Sequence, residues 1–444
     1  MAFISMSSCL LIFSLLIALP DLSSAYLKLP LLRKNPYPPP PSEALSADSR
    51  RVSALHQRHG HFHTKLPINS AASSGSGQYL VSLHLGTPPQ RLLLVADTGS
   101  DLTWVTCSAC RRHCPPRATF FPRHSTTFSP YHCFDSSCKL VPHPRKHFPC
   151  NHTRLHSTCR YEYSYSDGSV TSGFFSHETT AFNSSSDKLV QFQHLSFGCG
   201  FKNSGHSVSG RSFNGANGVM GLGRGPISFS SQLGREFGHT FSYCLMDYTL
   251  SPPPTSYLLI GDSQYGGAHK LSYTPLLINP FSPTFYYIRI ENVFINNKKL
   301  RISPSVWAID ELGNGGTVVD SGTTLTFLTE PAYRRILAMV DRLVKLPKSV
   351  DPTLGFDLCF NVSSELTPSL PRLSFKFRGG SLFAPPPPNY FIDAADGVKC
   401  LALQPVAPSS GFSVIGNLMQ QGYTFEFAKD RMRLGFSRSG CSVP

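Results

Sequence analysis

Tryptophan and methionine are scarce in this 444-residue chain, with two and seven residues, which argues against a methionine-rich, adaptable binding surface. Charge is thin as well. Asp, Glu, Lys and Arg make up 15% of the residues, against roughly 25% in an ordinary soluble domain, while 41% are hydrophobic. That balance excludes disordered and coiled-coil classes and leaves a chain able to bury a sizeable core. Acidic side chains are the scarcer sign, 26 against 40 Lys and Arg, for a formal charge of +14. The excess is scattered rather than interleaved with aromatics in a stripe, so no nucleic acid is expected as a partner. Residues 1–75 hold seven basic and three acidic side chains, so most of the positive balance belongs to the remainder. It would suit acidic cell-wall polymers. Long apolar runs are also missing. The longest, residues 10–19 (LLIFSLLIAL), falls short of the roughly 20 residues a membrane-spanning helix needs, so no membrane partner is expected for the mature chain.

That run has the length of a signal-peptide core, and Ser23 and Ala25 offer a cleavage site before Tyr26. The positive n-region is missing, and a buried N-terminal helix is the alternative. The expectation is a signal peptide at residues 1–25 and a secreted, soluble product in the extracellular or cell-wall space, with the vacuole as a second destination. The last four residues, Cys441 to Pro444, contain no retention signal and follow no apolar anchor tail.

Cysteine usage agrees with an oxidising compartment. Setting Cys9 aside in the signal leaves twelve: Cys107, Cys110, Cys114, Cys133, Cys138, Cys150, Cys159, Cys199, Cys244, Cys359, Cys400 and Cys441. The cluster between Cys107 and Cys159, with His113 nearby, could pass for a zinc site, but disulfides are favoured and no metal or cofactor is expected. Asn151, Asn183 and Asn361 head glycosylation triplets, which also arise by chance.

Glycine (34), proline (37), phenylalanine (32) and tyrosine (17) are plentiful, favouring strands punctuated by turns. Residues 26–75 lack a sustained apolar period. They carry Pro38 to Pro41, Arg50-Arg51 and histidines at 56, 59, 61 and 63. They read as a linker or pro-segment lying outside the core. From Gly77 onward Tyr79, Val81, Leu83 and Leu85 alternate as in a half-buried strand, ending at the Gly86-Thr87-Pro88-Pro89 turn. Leu92 to Ala96 form a continuous apolar run suited to a strand buried on both faces, and it delivers the chain to Asp97. One clear helix is predicted between Pro331 and Lys345, with Tyr333, Ile336, Leu337, Val340, Leu343 and Val344 on one face and Thr329 as cap. Pro385 to Pro388 read as a rigid loop rather than a partner motif.

An internal echo organises the rest. Asp97-Thr98-Gly99-Ser100-Asp101-Leu102-Thr103-Trp104-Val105 aligns without gaps on Asp320-Ser321-Gly322-Thr323-Thr324-Leu325-Thr326-Phe327-Leu328. Apolar-apolar-Gly segments follow both, Val219-Met220-Gly221-Leu222-Gly223 after the first and Val414-Ile415-Gly416-Asn417 after the second. Two copies of one plan imply two similar lobes. A lone Asp in a glycine turn after a buried strand would be structural, held by hydrogen bonds. Two in duplicated settings can be brought together, where like charges resist ionising together and share a proton over an acidic range. One carboxylate can then act as a base on water while the other donates a proton.

These motifs resemble those of the pepsin-like aspartic proteases, and more closely their plant nepenthesin-like branch, over Gly77 to Pro444. The resemblance implies a mainly β, bilobal pepsin-like acid protease fold with a cleft between two β-rich lobes, an N-terminal lobe at residues 76–275 and a C-terminal lobe at residues 276–444. It implies Asp97 and Asp320 as the catalytic pair, with Thr98 and Ser321 bracing the loops against each other. Ser100 and Thr323 would hydrogen-bond the aspartates, and Gly99 and Gly322 would let backbone approach them. Tyr163-Ser164-Tyr165-Ser166-Asp167-Gly168-Ser169 resembles the flap hairpin, in which Asp167-Gly168 is a turn signal by itself. Tyr165 would hydrogen-bond Trp104, although the two are also readable as ordinary core aromatics. Ser166 departs from the family's usual Gly. The cysteine-rich stretch resembles the insert of the nepenthesin-like branch, and analogy suggests pairs Cys359 with Cys400 and Cys244 with Cys441. No saposin-like insertion is present in the sequence.

The function so implied is that of a monomeric acid endopeptidase, secreted as a zymogen, acting on polypeptides with bulky apolar side chains at the cut. A non-catalytic binding or inhibitor protein of the cell wall is the alternative, opposed by the intact motifs. A carbohydrate-associated wall protein held by its positive charge is a third.

Overall fold

The computed structural model describes residues 27–32, 78–108, 119–144, 157–165, 168–183, 189–205, 208, 213, 215–247, 256–261, 271–365, 367–406 and 411–438. Short strands dominate them, as the abundance of Phe, Tyr, Gly and Pro leads one to expect. The largest sheet has 14 strands. It runs from the edge strand Ser272–Pro275 through Arg433–Ser437, Thr424–Ala428, Thr240–Cys244 and Ser256–Ile260. It continues through Leu27–Leu32, Leu80–Leu85 and Gln90–Asp97 into the strands that carry the first Asp motif. Strands from both halves of the chain therefore share one sheet. Cys244 pairs in register with Thr424, and Phe241 stacks on Phe427 with ring centroids 4.7 Å apart. Three smaller sheets of five, four and four strands complete the β structure among the described residues.

Local pattern explains the elements around the first motif. Leu80, Val81, Leu83 and Leu85 are buried along Leu80–Leu85, and the apolar run in Gln90–Asp97 is buried almost continuously to its end at Asp97. The predicted helix is present as Glu330–Leu343, with Tyr333, Ile336 and Val340 buried. Two details differ. Leu343 is 37% exposed. Thr329 occupies the N-cap position without capping, and its buried Oγ1 has no hydrogen-bond partner among the described residues. A second helix, Phe229–Phe237, is capped by Ser228, whose side chain accepts from the Ser231 N–H.

One expectation is corrected. Composition puts residues 26–75 outside the core, yet Leu27–Leu32 is a strand of the large sheet, antiparallel to Ser256–Ile260 on one side and to Leu80–Leu85 on the other. Leu29 and Leu31 are 2% and 4% exposed and lie in the main core cluster. The physical reason is a short period-2 pattern, Leu27, Leu29 and Leu31, hidden by the proline-rich composition that follows. Pro30 sits within this strand and forgoes one ladder hydrogen bond.

Candidate active site

The two Asp motifs are built the same way. Gln90–Asp97 runs parallel to Gly218–Gly221 with Asp97 opposite Gly221, and Thr317–Val319 runs parallel to Ser413–Ile415 with Val319 opposite Ile415. After each Asp the chain turns and returns on the other side of the same central strand, with Trp104 opposite Val219 and Phe327 opposite Val414. Each loop thus wraps an apolar-apolar-Gly strand. The glycine is required where the loop crosses it: a Cβ on Gly221 would lie 2.3 Å from the Asp101 carbonyl oxygen, and one on Gly416 2.0 Å from that of Leu325.

Both carboxylates are almost fully buried, Asp97 at 1% and Asp320 at 0% exposure, and they receive matching donors. The Gly99 N–H donates to Asp97 Oδ1 at 2.9 Å and the Ser100 hydroxyl to Oδ2 at 2.6 Å. In the second loop the Gly322 N–H donates to Asp320 Oδ1 at 2.9 Å and the Thr323 hydroxyl to Oδ2 at 2.6 Å. Such donors offset much of the cost of burying a carboxylate.

The loops are tied together. The Thr98 N–H donates to Ser321 Oγ at 3.2 Å and the Ser321 N–H to Thr98 Oγ1 at 2.9 Å. The Ser321 hydroxyl donates to the Ala96 carbonyl at 2.9 Å. Thr98 Oγ1 lies 3.4 Å from the Val319 carbonyl and 3.5 Å from Asp320 Oδ1. A hydroxyl from one loop is therefore within reach of the other loop's carboxylate.

Arg160–Ser164 and Val170–Asn183 form an antiparallel hairpin, and Tyr165 stands at the start of its turn. Its turn is closed by the Tyr165 N–H to the Ser169 carbonyl at 2.7 Å, with Gly168 at φ 82°. The Trp104 indole N–H donates to the Tyr165 hydroxyl at 2.6 Å, and Trp104 stacks on Phe213 at 5.7 Å. Ser166 and Asp167 lie outside the described residues.

Against known proteins, two family models match, "Xylanase inhibitor N-terminal" over residues 79–262 and "Xylanase inhibitor C-terminal" over residues 285–438. The chain is 35% identical over 419 residues to "Aspartyl protease family protein 2" of Arabidopsis thaliana, covering 90% of this chain and 81% of that one. It is 34% identical over 382 residues to "Aspartic proteinase nepenthesin-1" of Nepenthes gracilis, covering 85% and 81%. The chain belongs to the nepenthesin-like, pepsin-type aspartic proteases. Among solved structures it is similar to edgp (TM-score 0.68, 22% identity, 94% of this chain and 96% of that one). It is also similar to basic 7S globulin from soybean (TM-score 0.63, 20% identity, 94% and 97%). At those identities the structures support the fold alone, a mainly β, pepsin-like one.

In this aspartic protease the cysteines are joined as Cys107–Cys199, Cys138–Cys159 and Cys359–Cys400. Cys133 and Cys244 are disulfide-bonded too. Cys110, Cys114, Cys150 and Cys441 lie outside the described residues, as does Asn151. Cys138, His143 and Cys159 are close enough to hold a metal ion, but the two sulfurs are bonded to each other and are not thiolate ligands. Asn183 ends its strand, and Asn361 is exposed, its Oδ1 accepting from the Ser363 N–H.

No sequence motif singles out Tyr243 or Gln420, although both support the nepenthesin-like site beside Asn417 of the repeated segment. Buried Tyr243 donates to Gln420 Oε1 at 2.5 Å, and Gln420 Nε2 donates to the Asp320 carbonyl at 3.3 Å and to that of Ile415 at 2.8 Å. Asn417 Nδ2 donates to the Ser321 carbonyl at 3.0 Å. Burial, with Asp320 nearby, pushes the Tyr243 phenol well above its ordinary range, so it stays a neutral donor. The available signal is position: Gln420 lies three residues beyond Asn417, the end of the Val414-Ile415-Gly416-Asn417 segment.

Proposed function

We propose that Asp97 and Asp320 form the catalytic dyad of an acid endopeptidase, and the observation that carries this reading is the matched set of donors on the two buried carboxylates. With one proton shared between them, the ionised partner takes a proton from a water molecule as it attacks the scissile carbonyl. The protonated partner hydrogen-bonds the developing oxyanion. Gly99 and Ser100 donate to the two oxygens of Asp97, and Gly322 and Thr323 to the two oxygens of Asp320. Thr98 and Ser321 keep the two loops in register. Tyr165, oriented by Trp104, belongs to a hairpin that closes on an extended polypeptide and limits water entry.

The enzyme is secreted in this reading, with residues 1–25 as signal, 26–75 as pro-segment and lobes at 76–275 and 276–444. The basic, histidine-rich part of the pro-segment holds the precursor inactive at neutral pH through attraction to the acidic cleft, and that attraction fades as the carboxylates take up protons. Because Leu27–Leu32 is a sheet strand, the deletion that tests this runs over residues 33–75. A deletion variant with the same pH onset of activity as the full precursor would remove this element of the proposal. The competing reading is a non-catalytic binding protein, favoured by the xylanase-inhibitor description of the matching family models. Cleavage of a denatured protein at acid pH, with and without pepstatin and beside Asp97→Ala and Asp320→Ala, separates the two.

A further inference from the structure

The echo between the motifs breaks at one polar position: Asp101 follows Ser100 in the first loop, whereas Thr324 follows Thr323 in the second. Asp101 is only partly exposed, and both its carboxylate oxygens are engaged. Oδ1 accepts from the Gly225 N–H at 2.8 Å, and Oδ2 accepts from the Thr284 hydroxyl at 2.6 Å, across 183 residues of chain. The seat is shaped for it. A Cβ on Gly223 would lie 2.3 Å from Asp101 Oδ1, and one on Gly225 2.4 Å from Oδ2. Opposite charge is at hand, since Asp101 is the charge that counters the burial-driven fall of the Lys429 amine, held at about 8. Lys429 itself donates to Ser230 and Ser231, and Arg224 donates to the Leu277 carbonyl.

The segment that holds Asp101 also holds both Asp loops. The Arg224 N–H donates to the Thr284 carbonyl at 3.0 Å, and the Tyr286 hydroxyl donates to the Leu222 carbonyl at 2.8 Å. The Leu222 N–H in turn donates to the Asp97 carbonyl at 2.8 Å. On its other side Tyr286 accepts, through its carbonyl, the N–H of Val319, the residue before Asp320, at 3.1 Å. Residues 284–286 are therefore a continuous hydrogen-bonded link from the backbone beside one aspartate to the backbone of the other.

We propose that Asp101 is a positioning residue for catalysis: by gripping Thr284 it seats the Asp97 loop on the segment that also supports Asp320, and so sets the relative placement of the two carboxylates. This rests on the dyad reading above. A carboxylate displaced by even about 1 Å forfeits much of its rate advantage, while remote binding of an extended peptide is little affected.

The test compares wild type, Thr284→Val, Thr284→Ser, Asp101→Ala and the double variant Asp101→Ala/Thr284→Val. It reads steady-state cleavage of a quenched apolar peptide and amide exchange over residues 98–103. Thr284→Val is expected to lower kcat by about 10-fold, and Asp101→Ala by up to about 100-fold, at unchanged KM. Thr284→Ser should restore wild-type kcat, and the double variant should be no slower than Asp101→Ala alone. Amide exchange of the loop should quicken in Thr284→Val but not in Thr284→Ser. Unchanged kcat and exchange in a folded Thr284→Val, or fully additive losses, would overturn the proposal. If wild type cleaves nothing, the dyad reading fails by itself, and the exchange comparison still decides whether the Asp101–Thr284 grip holds the loop.

Discussion

Ser100 and Thr323 each give a 2.6 Å hydroxyl hydrogen bond to a carboxylate that is nearly inaccessible to water. Removing either leaves a buried acceptor short of one donor, a loss of about 1–3 kcal/mol. Ser100→Ala and Thr323→Ala are expected to lower kcat by roughly 10-fold each with the fold retained, as measured by peptide cleavage alongside circular dichroism. A second residue-scale expectation concerns His177, whose Nδ1 lies 3.1 Å from that of His194 and whose ring packs at a tilt against Tyr131. Burial, then the His194 charge, lowers the His177 pKa from 6.5, against weaker opposing pulls from Glu178 and Asp135. The folded state thus binds this proton less readily than the unfolded chain, so stability falls as pH drops through 6.5 toward the lower folded value. His177→Gln removes that loss: between about pH 7.5 and about pH 5 its melting temperature should drop less than that of wild type. Equal drops would contradict the assignment.

At the scale of elements, Leu27–Leu32 is the strand that composition concealed. The proline and histidine content of residues 33–75 dominates any window that includes it, and its pairing partners lie about 50 and 230 residues away, beyond the reach of local pattern. Its two inward leucines have a measurable consequence. Leu29→Ala should cost the precursor about 2–5 kcal/mol, read from the urea midpoint, and an unchanged midpoint would mean that the strand is not docked. The helix Glu330–Leu343 was legible because its apolar period spans four turns, yet the role of Thr329 was not. Sequence marks Thr as a cap, but its hydroxyl is turned into the buried interior without a partner. Thr329→Val is accordingly expected to be neutral or slightly stabilising, where loss of a working cap would cost about 1 kcal/mol. A urea titration distinguishes the two.

Across the whole molecule, the duplication carried most of what could be read. The repeated Asp motif and the repeated apolar-apolar-Gly segments reappear as two loops, each wrapped round a central strand by the same pairings. Hidden from sequence were the contacts by which each half of the chain reaches into the other. Tyr243 lies in the region that the first family model matches and serves the Asp320 loop through Gln420, while Tyr286 lies in the region that the second matches and serves the Asp97 loop through Leu222. Such exchanges depend on how the halves face each other, which no local pattern encodes. The central claim is that two equivalent buried carboxylates act as one unit. Its most direct test is acid-pH cleavage of a denatured protein by wild type, Asp97→Asn and Asp320→Asn, with pepstatin as probe. Pepstatin-sensitive cleavage that falls by about 10³-fold or more in each single variant is the expected result. Cleavage retained in either variant, or none from folded and processed wild type, would contradict it.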